Sequence, residues 1–142
     1  LIMKRLLSNS VILIMILLSC YSCKNNTTEH QAIQLEGLAL NNNEKWVANE
    51  ETHIGMKRID SILKNNTSTS GKILGDVLSK QTSYIIKSCD MEGEAHDQLH
   101  VVLVPILEEI TDIKDLENAS DIDKKVTTLK RLTATYFQYF KI

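Results

Sequence analysis

Apolar side chains recur at intervals of four and three residues through the C-terminal segment of the chain. Residues at this spacing lie on one face of an α-helix, so the pattern predicts an amphipathic helix from about Ser120 to Phe140. It is the most regular repeat in the sequence, and its members are Ile122, Val126, Leu129, Thr133, Tyr136 and Phe140.

Three more helices are predicted upstream, at about residues 43–64, 70–87 and 94–111. The chain contains one Pro and five Gly, a composition that favours long helices joined by short polar turns. Asn43 is the expected N-cap of the first helix, and Pro105 is expected to kink the third. The second helix has an expected core face at three- and four-residue spacing, with Gln81 as a polar member; it consists of Leu74, Val77, Leu78, Gln81, Ile85 and Ser88. The four segments predict an all-α fold, an antiparallel up-down-up-down four-helix bundle over residues 43–142.

An export signal precedes the predicted bundle. Basic Lys4 and Arg5 are followed by an apolar run, Val11–Leu18, which is too short to span a bilayer and is typical of a secretory signal. Residues 20–42 are rich in Asn, Thr, Gln and Glu, with a weak apolar patch at Ile33–Leu40, and are predicted to form a flexible tether.

A lipid-attachment motif follows the apolar run, at Leu17-Leu18-Ser19-Cys20, and it resembles the lipobox of bacterial lipoproteins. The resemblance implies removal of residues 1–19 as a signal peptide and acylation of Cys20, which anchors the chain to the lipid membrane. An uncleaved helical anchor is the alternative. By resemblance to bacterial sorting signals, Tyr21 favours the outer membrane, so the expected location is the cell envelope.

The best functional clue is a window in which sulfur and imidazole side chains cluster. His96 and His100 are four residues apart, so on a helix both leave the same face about one turn apart, as a shared metal ion requires. Cys89 and Met91 precede them on a predicted turn. Soft sulfur with imidazole suits copper best and zinc next. Asp97 is not an expected ligand but is expected to orient the ring of His100.

A bundle topology brings further side chains to this window. In an antiparallel bundle the second turn lies at the same end as the start of the first helix, which makes His53 a possible additional ligand. The alternative interpretation is structural: His96 begins the packed stripe Leu99, Leu103, Ile106, Ile110 and Ile113, and Cys89 is a small buried hydrophobe.

The sequence favours binding over catalysis. It carries no nucleophile motif, no phosphate-binding glycine loop and no CxxCH haem motif, so an enzyme is not expected. The first hypothesis is a lipoprotein that buffers, senses or transfers a soft metal ion, with a metal donor or acceptor protein as partner. The second is an envelope protein-interaction module without metal, and the third is noncovalent haem binding through His96 or His100 with Met91 or Met56.

The net charge of the chain, −2 with His neutral, becomes more negative when Lys4 and Arg5 are removed. No basic patch stands out, so nucleic acid is not an expected partner. The window Ser-Cys-x-Met-x-Gly-x-x-His-Asp-x-Leu-His, with Lys45-Trp46 upstream and Tyr-x-x-Tyr-Phe downstream, resembles a family of small uncharacterised bacterial helical lipoproteins. The resemblance implies the bundle and the anchor over about residues 44–140, and it implies no activity.

Overall fold

The computed structural model describes residues 31–142, so the predicted signal peptide, the lipobox and Cys20 lie outside the described residues. The predicted all-α four-helix bundle is confirmed. Two strands of two residues each, β1 and β2, flank the helices. The elements are β1 Trp46–Val47, α1 Glu50–Lys64, α2 Gly71–Ser88, α3 Gly93–Ile113, α4 Ala119–Tyr139 and β2 Phe140–Lys141.

The helices form a closed ring in chain order. Helix α1 packs against α2 and α4, and α3 packs against α2 and α4. The contacts join the beginning of one helix to the end of its neighbour: Gly55 of α1 lies against Ile85 of α2. At the α3–α4 contact, the ammonium of Lys125 lies 2.9 Å from a carboxylate oxygen of both Glu109 and Asp112. These contacts fit the predicted up-down-up-down order.

The predicted apolar stripes of α3 and α4 form most of the core. Every member of the α4 stripe is buried, and in the α3 stripe only His96 remains half-buried. Helix α3 continues through Pro105. Among residues 31–142, no helix is long and apolar enough to cross a membrane.

The buried face of α2 differs from the prediction. Val77 is exposed and Gln81 only half-buried, whereas Gly71, Gly75 and Thr82 are buried. The two glycines lie against the backbone at the end of α3, and the absent Cβ atoms allow this close approach. The buried face therefore contains the predicted Leu74, Leu78 and Ile85 together with the two glycines and Thr82.

The predicted start of the first helix is wrong. Asn43 is not an N-cap: Asn42 and Asn43 have positive φ angles of 50° and 68°, and Asn41 pairs with Glu44 to close the turn. Two consecutive left-handed residues cannot continue a right-handed helix, and Asn tolerates this conformation better than most residues. The chain then runs extended through β1, which pairs in parallel with β2, before α1 begins.

The predicted flexible tether is also wrong for its second half. Residues 31–45, here called the strap, lie against the bundle. The Thr135 hydroxyl on α4 accepts a hydrogen bond from the Ile33 amide at 2.8 Å. The same hydroxyl is a donor to the Ile33 carbonyl oxygen, at 2.9 Å. Leu35 and Leu38 pack against the core together with Ile33. The weak apolar patch thus belongs to the folded domain, because burying it offsets the entropy lost on ordering the strap.

Candidate functional site

The turn between α2 and α3 holds two of the four predicted metal ligands. Cys89 is the C-cap of α2 and Met91 lies two residues on, and both are half-buried against the core. Gly93 opens α3 with a φ of 63°, a left-handed conformation that glycine adopts without steric cost. No atom lies within 4 Å of the position that a Cβ on Gly93 would occupy, so backbone conformation and not space requires glycine there.

The other two predicted ligands are adjacent on α3. The ring centroids of His96 and His100 are 4.3 Å apart, with an interplanar angle of 61°. His96 is half-buried and His100 is exposed. Imidazole nitrogens bind zinc at about 2.0–2.1 Å, so two rings at this separation can share one ion after small side-chain rotations. The structure therefore brings together the imidazole pair that the four-residue spacing predicted.

In the described part of the chain, neither Cys89 nor His53 joins this pair in a group of three ligands. Within residues 31–142, no three His, Cys, Asp or Glu side chains form a group that could hold a metal ion. His53 is buried, its Nδ1 is 3.2 Å from the Tyr136 hydroxyl, and its ring meets the edge of Phe137 at 5.4 Å. Asp97 is exposed and lines a separate groove.

Electrostatics keep the imidazole of His53 neutral. Burial lowers its pKa from the ordinary value, and the nearby positive charges of Lys57 and Lys45 lower it further. Burial also raises the pKa of Tyr136, with a smaller contribution from nearby Cys89. Tyr136 therefore keeps its hydroxyl proton and can donate a hydrogen bond to the neutral imidazole.

A hydrogen bond from Asn49, the N-cap residue of α1, fixes the end of α2. The Asn49 side-chain amide donates to the Ser88 carbonyl oxygen at 2.9 Å, and to the Glu51 carboxylate at the same distance. Because Ser88 directly precedes Cys89, this bond holds the turn against the start of α1. The antiparallel order predicts this juxtaposition of the two ends.

Sequence reasoning missed the residues that hold the strap on α3. The Gln98 side chain accepts from the Ala39 amide at 2.7 Å and donates to the Gly37 carbonyl at 3.0 Å. The indole of Trp46 donates to the Ala39 carbonyl at 2.7 Å. The apolar patch Ile33–Leu40, interrupted by Gln34, Glu36 and Gly37, was the available signal for these contacts.

Comparison with known proteins does not assign the chain to a family. No protein-family model, curated protein or solved structure matches it. Its function is therefore inferred from the side chains of the α2–α3 turn and their geometry.

Proposed function

We propose that the protein is a membrane-anchored envelope lipoprotein whose bundle binds one soft transition-metal ion, Cu(I) in preference to Zn(II). The supporting observation is the 4.3 Å separation of the His96 and His100 rings. The bound ion is buffered, sensed or passed to another protein.

The donor types support Cu(I) as the preferred ion. Cys89 and Met91 provide a thiol and a thioether on the four residues between α2 and α3, and thiolate and thioether ligands select Cu(I) over harder cations. The imidazoles are carried by a helix, so binding need not order their backbone. The sulfur ligands lie on the turn, which can adjust as the ion is bound.

The exposure of the pair suits transfer of the ion. His100 is exposed and His96 half-buried, so a donor or acceptor protein can reach the ion from solvent. A deeply buried ion would require the bundle to open. This arrangement supports buffering or transfer of the ion.

A metal titration tests the proposal. The full chain, reduced, metal-free and in mild detergent, is titrated with Cu(I) against a competing chelator. We expect one tightly bound equivalent. The variants His100→Ala and Cys89→Ser should each weaken binding by more than about 100-fold, beyond the 10–100-fold typical for loss of a group that only orients a ligand. Far-UV circular dichroism of His100→Ala should be unchanged because the side chain is exposed.

The matched control is His30→Ala, which removes one imidazole from the segment before the described residues. It should bind like the parent chain. Equal Cu(I) affinity in the parent and in both site variants would contradict the proposal.

A metal-free interaction module is the second candidate function. The observation that favours it is that the core is complete without a ligand: Met56, Leu78, Ile106 and Tyr136 are fully buried. Two apolar side chains one turn apart on α2, Ile73 and Val77, are exposed and available to a protein partner. Failure to bind Cu(I) or Zn(II) would leave this candidate as the working hypothesis.

A further inference from the structure

The strap and the first turns of α3 enclose a groove on the molecular surface. Its volume is about 370 Å³, within the range of about 300–1,000 Å³ usual for small-molecule sites. Its lining combines one aromatic ring, two carboxylates and polar backbone, and consists of Ala39, Leu40, Asn41, Asn42, Trp46, Glu94, Asp97 and Gln98.

Hydrogen bonds hold both walls of the groove in place. On the strap side, the Trp46 indole is fixed by its bond to the Ala39 carbonyl. Across the groove, Gln98 binds the Ala39 amide and the Gly37 carbonyl with its two side-chain atoms. The following turn is closed by two backbone hydrogen bonds of 2.9 Å between Asn41 and Glu44. The groove therefore exists before any ligand arrives.

The charged side chains that line the groove are all acidic. Its lining contains the carboxylates of Glu94 and Asp97 and no cationic side chain. Neither carboxylate takes part in an ion pair among residues 31–142. The nearby Lys45 ammonium donates to the Phe137 carbonyl at 2.7 Å. Two unpaired carboxylates beside an aromatic ring are electrostatically complementary to a cation.

We infer that this groove binds an organic cation, an ammonium or guanidinium group, between the Trp46 ring and the carboxylates of Glu94 and Asp97. Aromatic faces attract such cations through the ring quadrupole, and carboxylates accept charge-assisted hydrogen bonds from them. The positive end of the α3 dipole repels a cation here. The negative charges of both carboxylates are therefore needed to outweigh this repulsion. The volume accommodates a small amine or one Lys or Arg side chain.

The chain carries its own reporter for this binding. Trp46 is the one tryptophan of the sequence. All tryptophan fluorescence therefore comes from this ring, and a cation bound against it changes the measured intensity. The full chain, kept free of metal, is titrated with N-acetyl-arginine amide and, separately, with the neutral isostere N-acetyl-citrulline amide. A third titration uses the peptide Ala-Ala-Arg-Ala-Ala. We expect saturable quenching by the arginine compounds and none by the citrulline compound.

The two arginine probes separate the sources of the cation. Tighter binding of the peptide points to a basic side chain of a protein partner, and equal or tighter binding of the amide points to a free small molecule. Either result supports a cation site.

Charge-neutral variants identify the groove as the site. The double variant Glu94→Gln and Asp97→Asn should lose at least tenfold in affinity. The control Asp115→Asn and Glu117→Gln removes the same charge from exposed positions after α3 and should stay within twofold of the parent. Equal losses in the two double variants, or equal quenching by the citrulline compound, would overturn the inference. If the site variant loses helix content, Glu94→Gln alone replaces it in the comparison.

The site is independent of the proposed metal site. His100→Ala should keep its affinity for the cation, so failure of one proposal leaves the other intact.

Discussion

His53 illustrates how the fold controls the charge of a single side chain. Its imidazole lies among Tyr136 and Phe137, and Tyr136 in turn stacks on Phe140 with centroids 5.0 Å apart. A proton on His53 would place a charge in this aromatic cluster and close to two lysines. The neutral imidazole is therefore part of the native packing.

We predict that His53 makes stability depend on pH in the weakly acidic range. Its pKa is lowered from 6.5 in the folded protein, so below that pH the unfolded chain binds the proton more readily. The contribution of His53 is fully present above pH 6.5 and decreases as the pH falls below it. Urea unfolding of the parent chain between pH 7.5 and 5.5 should show a falling midpoint.

A matched pair of variants isolates this effect. His53→Gln should be less stable than the parent at pH 7.5 and should have a flatter pH profile. His100→Gln removes an exposed imidazole and should keep the parent profile. Identical profiles for the parent and His53→Gln would contradict the assignment.

Two contacts that involve histidine, His96 with His100 and His53 with Tyr136, show which side-chain contacts a sequence can predict. His96 and His100 are close because four residues make about one helical turn, so their contact is local and was predicted. His53 and Tyr136 are 83 residues apart, and their contact depends on how α1 packs against α4. The shared bundle end was predicted from the topology, but the specific hydrogen bond required the packed structure.

At the scale of elements, glycine sets the distance between α2 and α3. A Cβ on Gly71 would overlap the backbone carbonyl oxygens of Ile113 and Leu116. Backbone atoms at the end of α3 cannot move aside as a flexible side chain can. The start of α2 therefore depends on glycine for close packing, although glycine itself weakens a helix.

We predict that Gly71→Ala destabilises the fold by about 1–3 kcal/mol, the usual cost of overpacking. Gly75→Ala is the matched control, because its Cβ would meet mainly the flexible side chain of Lys114. Gly75→Ala should cost less, since Lys114 can change rotamer. The free energy of unfolding in urea measures both, and a Gly71→Ala variant no less stable than Gly75→Ala would contradict this account.

Glycine also explains why the sequence pattern predicted α2 incompletely. The spacing of Leu74, Val77 and Leu78 predicted a buried face that includes Val77, because such a prediction considers only where large apolar residues recur. The structure buries Gly71 and Gly75 and exposes Val77. Close backbone approach contributes packing without an apolar side chain, so a hydrophobic pattern cannot detect it. The buried faces of α3 and α4 contain no glycine, and their stripes were predicted correctly.

At the scale of the whole molecule, both ends of the domain are attached at one end of the bundle. Trp46 of β1 pairs with Phe140 of β2, and the strap lies on α3 and α4. These contacts are long-range: Ile33 and Thr135 are separated by 102 residues. Local signals, namely apolar repeats, caps and turn residues, predicted the four helices. Contacts of this separation leave only a weak trace in the sequence, here the apolar patch of the strap.

The attachment of the strap to the bundle depends on a few hydrogen bonds to α4. The Thr135 hydroxyl accepts from the Ile33 amide, and its one hydrogen has two acceptors in range, the carbonyls of Ile33 and Arg131. We predict that Thr135→Val, which keeps the shape and removes the hydroxyl, costs about 1 kcal/mol of stability. Its main effect should be local, because the strap contributes few fully buried side chains to the core.

Hydrogen exchange tests whether the strap opens separately from the bundle. In Thr135→Val, the amides of residues 31–41 should exchange faster, while those in the middle of α2 and α3 should keep their protection, as expected for local opening. Thr127→Val is the control on the same helix, since the Thr127 hydroxyl bonds only within α4, to the Asp123 carbonyl. If Thr135→Val accelerates exchange equally in the strap and in the core helices, the strap is part of the cooperative core. Faster exchange confined to residues 31–41 would instead show that the strap opens separately from the bundle.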